Sequence, residues 1–200
     1  MLVAAFAIRG LFTFDRYWIE ALSGLETLGA YVLYAGIGTA VISFLDAGVV
    51  VFFYPRLVNA ARSNNTHEFK SAMKSLGLNI TLATIILTAL AFGASFLVIE
   101  WLNRPAYTEN FHLLKWLLLA MFIYGMSHTP HLGLYAQGRD RTLITSQTAS
   151  LLTFLITAAG LNGSLGTTAV PVALCAAFSV LLLWKTVVYK RMIYELNASI

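Results

Sequence analysis

Four ionisable side chains stand inside long apolar runs of this chain: Arg9, Asp46, His128 and His131. An Arg or Asp near the centre of a bilayer costs about 2.5–3.5 kcal/mol on insertion scales, so such residues turn toward a cavity or a partner. At 1.5 Å per residue, Arg9 lies roughly 12 Å from the start of its run, and Asp46 roughly 13 Å before Pro55. By the same rule His131 and His128 lie roughly 10 and 15 Å before Gly138. Three helices would thus bring polar groups to a similar depth. One chemistry for that set is a hydrated cavity in which Arg9 attracts an anion such as a diphosphate and Asp46 tunes the charge. His128 or His131 would add a proton-sensitive element, since imidazole titrates near neutral pH. The other is a buried Arg9–Asp46 ion pair that joins two helices, with both histidines bonded to nearby backbone. Asp15, Arg16 and Glu20 sit where the first run ends and read as headgroup-level charges.

Little else in the sequence carries chemistry. There is no phosphate-binding glycine loop with its Lys, no His-Glu-x-x-His and no Gly-x-Ser-x-Gly. Cys175 is the only cysteine, which excludes intrachain disulfides and thiolate metal clusters. Asn64-Asn65-Thr66, Asn79-Ile80-Thr81 and Asn197-Ala198-Ser199 match the glycosylation triplet, and their placement marks them as chance. No cofactor is implied, although the charges leave room for H+ or Na+ coupling.

The elements that must position these residues are set by composition. Of the 200 residues 58% are hydrophobic and 11% charged, with mean hydropathy +0.75. Soluble domains carry about 25% charged residues, so this surface is too apolar for water. The class expected is an all-α integral membrane bundle of about six transmembrane helices. Its spans are read at 1–19, 28–54, 76–98, 113–135, 143–160 and 167–189. Lipid offers backbone groups no partners, so spans are helices or closed barrels, and these runs are too long and too evenly apolar for barrel strands. Met1 opens directly into the first run with no basic region before it, which favours a retained span over a cleaved leader.

Charge in the connecting segments gives the orientation. Arg56, Arg62, Lys70 and Lys74 fall after span two, Arg139 and Arg141 after span four, and Lys185, Lys190 and Arg191 at the end of span six. The alternate connections have no excess of positive charge, so both termini are expected on the cytoplasmic side. The net charge of +4 is therefore topological and not a nucleic-acid footprint. Aromatic residues gather near both ends of the runs, where indole and phenol rings prefer the headgroups. The stretch Arg56–Lys74 is expected as a short interfacial helix or a solvated loop. Ala89-x-x-x-Gly93 and Ala173-x-x-x-Ala177 are small-residue pairs suited to close helix contact, as are Gly36 and Gly38. Pro130 should kink span four.

A family resemblance rests on an ordered set of short motifs. Phe14-Asp15-Arg16 ends the first span, Leu28-Gly29-Ala30-Tyr31 opens the second and Tyr54-Pro55-Arg56-Leu57 closes it. Gly138-Arg139 precedes span five, and Gly160-Leu161-Asn162-Gly163 links the last pair. Across nearly its whole length the chain resembles the second six-helix lobe of the polysaccharide transporters. These are the O-antigen flippase type within the multidrug/oligosaccharidyl-lipid/polysaccharide exporter superfamily. The resemblance implies a two-lobed, twelve-helix bundle in the bacterial inner membrane. Such a bundle moves undecaprenyl-diphosphate-linked glycan to the periplasmic leaflet by alternating access. It also implies that Arg9 and Arg16 meet the diphosphate and sugar in a central cavity. Family members run to about twice this length, and alternating access needs two repeats moving against each other. The chain is then a truncated product, a half that requires an amino-terminal lobe as partner, or an inactive remnant. Two other readings stand beside this one. A membrane enzyme of polysaccharide assembly, a polymerase or acyltransferase, would want a large outer loop bearing Arg or His. A cation-coupled drug antiporter half would put its weight on Asp46.

Overall fold

The structure, a computed structural model, describes residues 2–198, with side chains from 6 to 196. Met1, expected to open the first span, lies outside these residues, and the Asn197-Ala198-Ser199 triplet reaches beyond them. The described residues form an all-α bundle. The first element, α1 (Leu2–Leu45), is interrupted at Gly24, whose φ of 75° and ψ of −175° are not helical. Sixteen residues of straight helix would separate Asp15 from Tyr31 by roughly 24 Å. Instead the Tyr31 hydroxyl donates to the Asp15 carboxylate at 2.8 Å. The chain therefore folds back at Gly24, where glycine alone adopts such a φ without steric cost. Asp15 is not the exposed headgroup charge expected from the sequence. It is 1% exposed and clamps the two arms of α1 together.

A π-helical turn, Asp46–Val50, joins α1 to α2 (Val51–Arg62), and the Val51 N–H reaches back five residues to the Asp46 carbonyl. The expected stop at Pro55 does not occur; Pro55 lies inside α2. Its missing N–H and its ring disturb the preceding turn, which here begins at the end of the widened segment. α2 and α3 (Thr66–Leu102) replace the expected interfacial helix or loop over 56–74 with a tight helical hairpin. Asn64 takes a φ of 52°, and the Asn65 side chain accepts from the Glu68 N–H at 3.0 Å, so one asparagine turns the chain and the next caps α3. Arg56 and Glu68 add an ion pair at 3.6 Å across the hairpin.

After the short α4 (Pro105–Glu109), the fourth apolar run is split into α5 (Phe111–Met126) and α6 (His128–Ala136). The break falls at Ser127, three residues before Pro130. Proline removes a backbone donor and crowds the carbonyl four residues earlier, so the disturbance lands in the turn before it. Gly138, at φ 66°, turns the chain into α7 (Asp140–Leu165). That helix runs on through Gly160–Gly163, expected as the loop between the last two helices. The reversal comes at Gly166, φ 53°, before a 3₁₀ turn and α8 (Ala169–Ala198).

Three helical stretches, Phe6–Arg62, Thr66–Leu102 and Asp140–Leu196, are long and apolar enough to cross a membrane. The first and third each contain a chain reversal, at Gly24 and Gly166. α5 and α6 are too short singly to count among them, because of the break at Ser127.

Packing separates into two apolar cores. One gathers Leu11, Tyr31, Tyr34, Leu117, Phe154 and Phe178. The other gathers Leu45, Leu57, Phe69, Leu76, Leu143 and Met192. Ala173 and Ala177 are fully buried, and the Ser150 hydroxyl donates to the Ala177 carbonyl at 2.9 Å, so this small-residue pair does bring α7 against α8. Ala89 and Gly93 face outward, and a side chain added at Gly93 would meet nothing within 4 Å. Ala89 lines a groove with Lys115, Leu118, Leu119 and Phe122 of α5, so the pair does not form a close helix contact at Gly93.

Candidate functional site

A polar layer lies between the two cores. Along α8, Leu181 belongs to one core and Met192 to the other, and Lys185 falls between them. Along α7, Gln147 falls between Leu143 and Phe154; along α5 and α6, Tyr124, Ser127, His128 and His131 fall between Ala120 and Leu134. Asp46 sits at the start of the π turn, just past Val41 and Leu45. These residues, with Val50 and Leu132, line a cavity of about 290 Å³. Two of the contributing helices are irregular at this level. A π turn widens the backbone and re-aims its side chains, a feature that recurs at functional sites.

The geometry is that of a pair at the mouth and unpaired groups within. His128 Nε2 lies 3.5 Å from an Asp46 carboxylate oxygen; the imidazole is largely buried and the carboxylate is half-exposed. Its Nδ1 lies 3.1 Å from the Tyr124 carbonyl, and the Tyr124 ring packs edge-on against the imidazole. Both ring nitrogens therefore face acceptor oxygens. His131 stacks on Tyr135, and its Nδ1 is buried with no hydrogen-bond partner. The Gln147 Oε1 is buried and unpartnered as well. Lys185 is 2% exposed.

The sequence-predicted residues divide into two groups. Asp46, His128 and His131 come together in this cavity. Arg9 and Arg16 do not line it. They stand on the exposed side of the first arm of α1, and no ion pair joins Arg9 to Asp46 among the described residues. Exposed Arg9, Thr13, Arg16 and Glu20 follow helical spacing, while Ala7, Leu11, Asp15 and Ile19 on the opposite side are buried. Phe12 packs edge-on against Tyr124, and Arg9 is about one turn before Phe12 as His128 is about one turn after Tyr124. The arm and α5 run in opposite directions, so only the Arg9 end of the stripe comes to the level of the cavity. Thr39 and Ser43, also exposed, carry polarity along the second arm toward Asp46.

Lys185 and Gln147 were missed from sequence. In the sequence Lys185 reads, with Lys190 and Arg191, as topological charge at a helix end. The signal that separates them is spacing: four non-charged residues, Thr186-Val187-Val188-Tyr189, stand between Lys185 and Lys190. Gln147 lies among Thr, Ser and Ala and gave no signal of its own. Among the described residues no group of three or more His, Cys, Asp or Glu could hold a metal ion. Comparison with protein-family models, characterised proteins and solved structures finds no match for the chain.

Proposed function

We propose that this chain is one lobe of a membrane transporter that moves a lipid-linked oligosaccharide or polysaccharide precursor across a bacterial inner membrane. The observation that carries this reading is the row of exposed polar residues Arg9, Thr13, Arg16 and Glu20, which runs beside exposed Phe6, Phe14 and Tyr17 on the first arm of α1. A stripe of charge cannot rest against hydrocarbon, where each Arg costs about 2.5–3.5 kcal/mol. It fits an aqueous pathway in which cationic side chains meet a diphosphate and hydroxyl side chains meet sugar. In this reading the reversals at Gly24, near Asn64 and at Gly138 and Gly166, with the α3–α5 connection, join six spans over about 2–23, 25–62, 66–102, 111–136, 140–165 and 169–198. Both termini face the cytoplasm, as the basic connections favour. Alternating access then runs between this lobe and an amino-terminal partner lobe, with H+ or Na+ as coupling ion, the substrate being an undecaprenyl-diphosphate-linked glycan within the lipid.

Replacing Arg9 with Ala, alone and with Arg16→Ala, in cells that depend on this transporter is expected to cut surface glycan at least tenfold with membrane levels of the protein unchanged. Normal surface glycan in the double variant sinks the pathway reading. A second reading, a cation-coupled drug antiporter lobe, is favoured by one observation, the half-exposed Asp46 paired with His128. It requires that Asp46→Asn abolish drug resistance while Arg9→Ala leaves it intact.

A further inference from the structure

Three polar groups in the cavity between the two cores have unmet bonding capacity. Among the described residues Lys185 makes no hydrogen bond or ion pair, although it is 2% exposed. His131 Nδ1 and Gln147 Oε1 are buried and unpartnered on neighbouring walls of the same space. A buried ammonium keeps its charge only if an opposite charge and hydrogen bonds replace its lost water, and otherwise it gives up its proton. Asp46 is the one carboxylate among the lining residues, and His128 faces it at 3.5 Å. Tyr124, also on the wall, contributes no charge of the required sign. Among the described residues no carboxylate stands within ion-pair distance, 4.0 Å, of the Lys185 ammonium.

We propose that this cavity is a binding site for a phosphate group, held by Lys185 with hydrogen bonds from His131 and Gln147. Lys185 supplies the charge from α8. The His131 imidazole offers an N–H at the nitrogen that has no partner. A half-turn of the Gln147 amide presents its NH₂ group where its oxygen now stands alone, since the two ends of a side-chain amide interchange by rotation. The volume of about 290 Å³ accommodates such a group with several waters, each occupying about 30 Å³. The half-exposed Asp46 carboxylate, 3.5 Å from His128, marks the mouth. The site differs in residues and in helix face from the Arg9–Arg16 stripe, and it stands whether or not the chain transports a glycan. Its ligand is either a free phosphate or the phosphate of a lipid headgroup.

The test uses the full chain in nanodiscs of neutral phosphatidylcholine, titrated with inorganic phosphate at fixed ionic strength, with the thermal unfolding midpoint as readout. The midpoint is expected to rise and saturate. Lys185→Gln is expected to weaken the apparent affinity about tenfold or more, the loss that follows removal of a charge-assisted contact. Lys190→Gln, which removes the same charge from an exposed position on the same helix, should leave the titration unchanged. A second series replaces phosphatidylcholine by phosphatidylglycerol without added phosphate; a Lys185-dependent rise there identifies the headgroup as the source. The site is overturned if the native chain responds saturably to neither anion, or if Lys185→Gln responds like the native chain. It is also overturned if only Asp46→Asn acquires phosphate binding, because Asp46 is then the counter-ion of Lys185.

Discussion

Two exposed faces of this bundle differ in chemistry, one uniformly apolar and one mixed. From Leu82 to Leu97 every exposed residue of α3 is apolar or glycine, with Leu82, Ile86, Leu90 and Leu97 among the most open. On the first arm of α1 the exposed residues include Arg9, Thr13, Arg16 and Glu20. Both helices bury one side, and both are apolar on average, so hydropathy alone does not separate them. The difference shows only when exposure is read residue by residue. A single solvent cannot suit both faces: hydrocarbon tolerates the first and penalises the second. The first arm of α1 is the mixed face, since Phe6, Phe14 and Tyr17 are exposed beside its polar residues, whereas α3 is uniformly apolar over this stretch.

The largest effect that can break this comparison comes from moving charge between the faces. Ile86→Arg on the outer face of α3 is expected to cost about 2.5–3.5 kcal/mol of membrane integration, roughly a hundredfold in partitioning. Thr13→Arg on the stripe is expected to change it by less than about 0.5 kcal/mol, as for a surface substitution. The fraction resisting alkaline extraction from vesicles reads both. Equal losses for the two variants would remove the distinction between the faces.

A smaller effect sharpens it through glycines. A Cβ at Gly133 would stand 2.7 Å from a Tyr189 ring carbon and 2.9 Å from the Met73 methyl. Gly133→Ala is therefore expected to destabilise by about 1–3 kcal/mol through overpacking. At Gly93, on the outer face of α3, a Cβ meets nothing within 4 Å. Gly93→Ala should be neutral or stabilise by up to about 1 kcal/mol, since helical alanine loses less chain entropy than glycine. Unfolding midpoints in detergent micelles measure the pair, and a destabilised Gly93→Ala would mean that α3 packs against something on that side.

The limits of the sequence follow from the same contrast. Apolar runs and their punctuation are local, so helicity and the turn at Gly138 were legible. Where a helix stops depends on competing backbone chemistry. Pro55 and Gly160–Gly163 look like terminators but stay helical, because the turns are taken by Asn64, with Asn65 capping α3, and by Gly166. Asp46, His128 and His131 stood out because charge is rare in apolar runs, and the structure gathers them. Arg9 stood out for the same reason but faces the other way: depth along a helix says nothing of azimuth unless the buried side is known. Lys185 was hidden among flanking basic residues, and only packing between two cores separates it from Lys190. Asp15 needed the fold-back at Gly24 to meet Tyr31, a contact that no local pattern announces.

The smallest expected effect sets the scale for the others. Arg139 and Glu195 form an ion pair at 2.8 Å between the start of α7 and the end of α8, both about half-exposed or more. In water such a pair contributes about 0.2–1 kcal/mol, because screening and the entropy of two long side chains offset the attraction. Arg139→Gln is therefore expected to lower stability within that range in low salt. At 1 M salt the screening length falls to about 3 Å, and the difference should vanish. Unfolding midpoints of both proteins at low and high salt measure it. This end of the bundle is then the aqueous reference against which Thr13→Arg and Ile86→Arg are read. A loss well above 1 kcal/mol that persists in high salt would mean that Arg139 is shielded from water. Exposure on the bare bundle would then no longer report which solvent a face meets, and the contrast between α3 and the first arm of α1 would have to be rebuilt from partners that cover them.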